Sequence, residues 1–218
     1  MGSNLKLNDQ IEEYINSHSI KLHPVQYEII KYNETLGEIK KMQISISQCH
    51  FLHFIIKIIK PKNILEIGTF TGLSALTMGL AMDENGKLTA LDKNKETSDV
   101  AMSFFKKAKI DNKINLLINN EIVSLKDLYN KKKQFDFIFI DADKENYINY
   151  FNNALNILNN NGIIGGDNVL WDGDVADQNK NDRITLKIRE LNKFIKDDNR
   201  VASLILPIGD GLSVCRKI

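Results

Sequence analysis

The chain has 218 residues, of which 43% are apolar, 26% charged and 8% aromatic, a composition that suits one folded domain and excludes a disordered, collagen-like or fibrous chain. Its 29 basic and 28 acidic side chains leave a net charge of +1, which excludes the broad positive field of a dedicated nucleic-acid or polybasic membrane binder. No apolar run nears the ~18 residues of a membrane span and the polar start, Met1 to Gln10, has no signal-peptide core, so a cytoplasmic protein with no membrane partner is expected.

The first sixty residues read as helical. Asp9 with Glu12 forms a capping box ahead of Ile11, Tyr14 and Ile15, and Pro24 suits the first turn of a second helix that stops near Gly37. A third helix starts near Ser47, carries Phe51, Leu52, Phe54, Ile55, Ile58 and Ile59 at helical spacing, and ends before Pro61. Cys49 and Cys215 lie far apart with no metal-type spacing and are expected as two unpaired thiols.

From Asn63 short apolar runs alternate with amphipathic stretches, as parallel βαβ units require. Five strands are predicted: Ile64 to Gly68, Lys87 to Asp92, Lys113 to Ile118, Phe135 to Asp141 and Ile163 to Asp167. Helices near 72–83, 95–108, 121–131 and 144–160 separate them, and another near 181–198 leads to two last strands, Val201 to Leu206 and Leu212 to Lys217. The joint Pro207 to Gly211 is too short for a crossover helix, so those two strands must be antiparallel neighbours. The expected fold is α/β: one domain over 1–218, with a helical segment over 1–60 and a doubly wound, mostly parallel sheet with one reversed strand over 61–218. Such sheets bind ligands at the carboxyl ends of their strands.

Two groups of polar residues collect there. In the first, Glu66 precedes a turn carrying Gly68, Thr69, Phe70 and Gly72, and Asp92 ends the next strand. The glycines are spaced GxxxG rather than GxGxxG, which leaves little room for a pyrophosphate and favours a nucleoside without phosphates. Asp92 suits a ribose diol, and Glu66 suits a cationic ligand such as S-adenosylmethionine. In the second group Asp141 and Asp167 end consecutive strands and Asn168 follows. If the strands are neighbours, ~4.8 Å apart, both carboxylates reach one ion. An all-oxygen set suits a hard cation, Mg²⁺ before Mn²⁺ or Ca²⁺. The alternative is helix capping by Asp141 or Asp143 and an ordinary turn at Asp167 and Asn168.

The runs Met42 to Ser45, EIGTFTGLSAL, LDKN, FDFIFIDADKENY, GGDNVLWDGDVAD, RELN and RVASLILPIGDGLSVCRK, in this order, resemble the cation-dependent class I O-methyltransferases, the caffeoyl-CoA and catechol O-methyltransferases and their small bacterial relatives. The match runs from about Lys21 to the C-terminus. The resemblance implies a seven-stranded sheet with its penultimate strand reversed and a homodimer. It implies a divalent cation on Asp141, Asp167 and Asn168, with S-adenosylmethionine on Met42, Ile44, Glu66, Gly68, Thr69, Ser74, Asp92, Glu121 and Asp141. Lys144 is implied as the catalytic base beside Asp141. The implied acceptor is a phenolic, catechol-like small molecule on which Trp171 could stack; a hydroxylated wobble uridine of tRNA is the alternative. Ile46, Ser47, Cys49 and His50 depart from the family pattern, as does Glu121, which stands where a small residue lines the adenine pocket and whose side chain must turn away or meet the adenine amino group. Lys21 replaces a frequent Arg. His50 and His53 have a metal-like spacing but no third ligand in view, and a structural role is expected.

Overall fold

The computed structural model describes Leu5 and residues 7–218. Its seven strands, β1 (Asn63–Ile67), β2 (Lys87–Asp92), β3 (Ile114–Ile118), β4 (Phe135–Ile140), β5 (Leu158–Asp167), β6 (Val201–Leu206) and β7 (Leu212–Lys217), form one sheet in the order β3-β2-β1-β4-β5-β7-β6. All pairings are parallel except those of β7, which runs against both β5 and β6. The expected doubly wound sheet with one reversed strand is therefore present. Chain order reverses between β1 and β4, and a crevice opens at such a point beyond the carboxyl ends.

Alternate residues of each strand face opposite layers. Ile64, Leu88, Phe137 and Phe139 pack with α2 (Pro24–Glu34), α3 (Ile46–Ile59), α4 (Leu73–Ala81) and α5 (Lys95–Lys107). Leu65, Ile67, Leu91, Ile138 and Ile140 pack with α6 (Glu121–Asn130), α7 (Tyr147–Ile157) and α8 (Arg183–Asp197). The near-continuous apolar run of β4 is what a strand covered on both faces requires. Helix α1 (Asp9–Ser17) buries no residue and leans on α3, where Ser47 Oγ donates to Asn16 Oδ1 at 3.1 Å.

Several boundaries differ from the predicted ones. Asn8, not Asp9, caps α1, its Oδ1 accepting from Ile11 N–H. Helix α3 begins at Ile46, one residue earlier than expected, because Ser45 and Gln48 close a capping box; its C-cap is Lys60, in the left-handed region, before Pro61. The helix expected over 144–160 is a 3₁₀ turn, Lys144–Asn146, followed by α7, and β5 begins at Leu158. There Phe135 pairs with Leu158 but Phe137 with Ile163, so Asn159 to Gly162 bulge out, with Asn161 left-handed.

By length and mean hydropathy, 23 residues and 1.2, the helical stretch Gly37–Ile59 reaches the threshold for a membrane span, contrary to expectation. Its geometry does not follow suit. A 3₁₀ turn, Gly37–Met42, is separated from α3 by extended backbone at Gln43 and Ser45, and the 14 residues of α3 rise only about 21 Å against a hydrocarbon core of ~30 Å.

Candidate active site

A crevice of about 1780 Å³ lies over the carboxyl ends of β1 to β5. It is bounded by the turn after β1, the Met42 to Gln48 segment, the start of α6, and the loops after β4 and β5.

The turn after β1 is held in an unusual backbone conformation. Gly68 has φ +89°, and a Cβ there would meet the Asp141 carbonyl oxygen at 2.2 Å, so only glycine fits. Phe70 is left-handed as well, at φ +50°, a costly conformation for a bulky residue. Asp92 compensates for it: Oδ2 accepts from Thr69 N–H at 2.9 Å and Phe70 N–H at 2.7 Å, and Oδ1 accepts from Asn94 N–H at 2.8 Å. The acid read as a ribose ligand thus first fixes the turn, leaving acceptor capacity on Oδ1. Glu66 is completely buried behind that turn, and among the described residues neither carboxylate oxygen is in a well-formed hydrogen bond, the Ser74 and Thr69 hydroxyls being no more than weak donors to it. Burial pushes its pKa up to about 8, with Ser74 and Thr69 pulling the other way and Asp141 and Asp92 adding repulsion.

The second group assembles because β4 and β5 are parallel neighbours. Asp141 follows β4, its N–H donating to Ile67 O at 2.8 Å, and Asp167 ends β5. Asp167 Oδ1 accepts from the Gln48 side-chain amide and, at 2.7 Å, from Asn168 N–H. Lys144 Nζ lies 3.4 Å from both Asp141 Oδ1 and Asp167 O. Among the described residues no protein hydrogen bond takes up Oδ2 of either acid. Burial raises the pKa of both; repulsion from Asp141 helps bring Asp167 to about 7, and Lys144 lowers both. Asn168 is left-handed, at φ +57°. Capping does not account for these acids: Asp143 is the cap of the Lys144 turn, accepting from Asn146 N–H.

Of the predicted site residues, Met42, Ile44, Gly68, Thr69, Ser74, Asp92, Glu121, Asp141, Lys144, Asp167, Asn168 and Trp171 all line the crevice. Glu66 alone lies beneath its wall. Glu121 is buried, with Oε2 without a hydrogen-bond partner among the described residues. His50 reaches the crevice and His53 does not; burial lowers the pKa of each. Cys49 and Cys215 are buried and unpaired, each thiol pushed up to about 12 by that burial.

Three residues that sequence reasoning did not single out support the site. Gln48 joins the α3 capping box to Asp167, its Oε1 accepting from Ser45 N–H at 2.7 Å. The Tyr147 hydroxyl lies 2.7 Å from Ile140 O and 2.9 Å from Asp167 O, between the ends of β4 and β5. Arg189 donates to the carbonyls of Val175 at 2.9 Å, Asp174 at 2.8 Å and Asp177, gathering the loop that carries Trp171. Only the RELN run hinted at the last.

A family model described as O-methyltransferase matches residues 16–218. A protein of Dictyostelium discoideum named probable caffeoyl-CoA O-methyltransferase 2 is 39% identical over 217 residues, covering 98% of this chain and 94% of that one. The caffeoyl-CoA O-methyltransferase of Medicago sativa is 38% identical over 186 residues, 81% of this chain and 75% of that one. Among solved structures, an O-methyltransferase from Bacillus cereus in complex with S-adenosylhomocysteine superposes with a TM-score of 0.87 at 28% identity, covering 96% of this chain and 97% of that one. With the nucleoside-type turn after β1 and the same sheet beneath it, this chain belongs to the S-adenosylmethionine-dependent O-methyltransferases of the caffeoyl-CoA type.

Proposed function

We propose that the enzyme methylates one hydroxyl of a catechol-like acceptor while Asp141, Asp167 and Asn168 hold a divalent cation, Mg²⁺ in the first place. The observation that carries this reading is the pair of acids on adjacent strand ends, Asp167 buried and Asp141 half-buried, each with one oxygen outside the protein's hydrogen bonds. Two carboxylates side by side and mostly out of water resist ionisation, and an ion bound between them removes that cost. The oxygen-only donor set matches a hard cation.

When bound, the cation would supply the Lewis acidity that brings a phenol of pKa ~10 toward ionisation at neutral pH. Lys144, 3.4 Å from Asp141 Oδ1, is the group placed to take up the acceptor's proton, and the ammonium it then forms adds positive charge beside the phenolate. The acceptor oxygen attacks the methyl carbon in line. An O–C bond forms as the C–S bond breaks, the electron pair stays on sulfur, and S-adenosylhomocysteine leaves. Within the cofactor site we assign Glu66 to the cationic methionine end, because a buried carboxylate without a partner gains most from positive charge. Gly68, Thr69 and Ser74 shape the turn around the donor, Asp92 offers Oδ1 to the ribose, and Met42, Ile44 and Glu121 border its remaining length. Trp171 borders the acceptor side, where its ring would stack on a phenol.

The relatives named for caffeoyl-CoA support the phenolic acceptor. They give no support to the tRNA alternative, and Lys107, one of the lysines that could have formed a basic face for RNA, is ion-paired with Glu28. Transfer of a labelled methyl group to caffeic acid, with Mg²⁺ and with EDTA, tests the reading. Turnover abolished by EDTA is the expected result. Full turnover in EDTA would sink the cation, and failure on every vicinal diol with the cofactor bound would sink the acceptor class.

A further inference from the structure

We infer that Asp210, in the short joint between β6 and β7, is a positioning residue for the acceptor: its carboxylate holds the turn that presents Trp171 to the crevice. The inference rests on the reading that Trp171 borders the acceptor, and deepens it.

The reversed strand puts the joint at the site. Because β7 runs against β5, Leu212 pairs with Asp167, and the residues just before it lie at the carboxyl end of β5. A parallel β7 would begin at the other end of the sheet. Pro207, Ile208, Gly209 and Asp210 accordingly line the crevice.

The joint grips the loop after β5 at three points. Gly211 O accepts from Val169 N–H at 3.1 Å, Asp210 O from Leu170 N–H at 3.0 Å, and Asp210 Oδ1 from Asp172 N–H at 2.6 Å. The first two need a close approach of the backbones: a Cβ on Gly211 would meet Leu170 N at 2.7 Å, so that position is kept for glycine. The third comes from a side chain, and it falls where the backbone is least favourable. Trp171 and Asp172 are both left-handed, at φ +50° and +53°, a conformation uncommon outside glycine and an outlier for a bulky residue. Two such residues in succession persist where their surroundings fix them, and the carboxylate on Asp172 N–H supplies a charge-assisted hydrogen bond at that place. Arg189 engages carbonyls further along, from Asp174 to Asp177, and so does not duplicate the hold on Trp171.

Without this acceptor the turn relaxes out of the left-handed region and the indole leaves its place in the crevice wall. The cofactor's proposed site, at the turn after β1, is untouched by that change. Trp171 is the one tryptophan of the chain, so its fluorescence reports on this turn alone.

Acrylamide quenching of that fluorescence, with the kinetics of caffeic acid methylation, in wild type, Asp210→Ala and Asp210→Asn tests the inference. Asp210→Ala should raise the quenching constant about 2-fold and KM for the acceptor about 10-fold, with KM for S-adenosylmethionine within about 2-fold, as expected for one lost hydrogen bond to a charged group. Asp210→Asn keeps an oxygen acceptor and should recover most of both. Should the variants not fold, hydrogen exchange in wild type is the readout, and the Asp172 amide should exchange at least about 10-fold more slowly than an unstructured peptide. An unprotected Asp172 amide, or an Asp210→Ala protein with wild-type quenching, would overturn the inference. So would an Asp210→Asn protein as impaired toward the acceptor as Asp210→Ala with quenching unchanged, since the carboxylate would then touch the acceptor itself. A wild type that methylates no vicinal diol would overturn the acceptor reading, and quenching and exchange would still decide whether Asp210 holds the turn.

Discussion

Glu66 binds its proton more tightly in the folded protein than in the unfolded chain, since burial moves its pKa from 4.5 to about 8. The folded state therefore carries the extra proton between these values, and stability without cofactor falls as pH rises through that window. A shift of this size corresponds to on the order of a few kcal/mol at pH 8. Asp167, raised to about 7 by burial and by Asp141, acts with the same sign. We expect the melting temperature of the cofactor-free protein to decline from pH 5 to 8 and Glu66→Gln to flatten that decline; parallel profiles would show that Glu66 is not the source. Cofactor binding that draws Glu66 into its charged form should release a proton near pH 7. That release is measurable as a dependence of the binding heat on buffer ionisation enthalpy. For the acid pair, Asp167→Asn removes one buried charge, so the variant should be at least as stable as wild type at pH 8 yet lose cation-dependent turnover by 100-fold or more, on the order of a lost charged interaction in a buried site. Retained turnover would remove Asp167 from the cation site.

At the scale of elements, the α3 N-terminus and the loop after β5 hold the site from opposite sides. Ser45 Oγ accepts from Gln48 N–H at 3.2 Å, and the Gln48 side chain in turn reaches Asp167. Loss of an N-cap costs ~1 kcal/mol, so Ser45→Ala should lower the unfolding free energy in urea by about that amount, and a change near zero would mean that Gln48 is held without the cap. Arg189 gathers three carbonyls of the loop carrying Trp171. Arg189→Ala should loosen the acceptor side: we expect KM for the acceptor to rise about 10-fold while KM for S-adenosylmethionine stays within about 2-fold. Equal changes in both would indicate a general loss of structure. The strands were legible because β1, β2 and β4 are buried on both faces and the apolar runs of β2 and β4 end in acids. The caps were less so, since Asn8 and Asp9 or Ser45 and Ser47 are equally good on paper and only the path of the chain decides between them. The bulge at Asn159 to Gly162 was illegible because its polar run is equally consistent with a helix end.

Over the whole molecule, the sheet order brings together residues far apart in sequence, and this is where reading from sequence reaches its limit. Asp141 and Asp167 could be paired in advance because consecutive parallel strands are commonly neighbours. Gln48, 119 positions from Asp167, could not, since nothing local marks a helix-capping glutamine as a partner of a strand-end acid. Glu121 was visible as a departure from the family pattern, but its burial at the edge of the crevice was not. The central claim is that Asp141, Asp167 and Asn168 hold a divalent cation. Anomalous diffraction at the manganese edge, from crystals grown with S-adenosylhomocysteine and Mn²⁺, tests it most directly. We expect one strong peak about 2.2 Å from oxygens of all three side chains. A map with no peak there, and with Lys144 still against Asp141, would contradict the account.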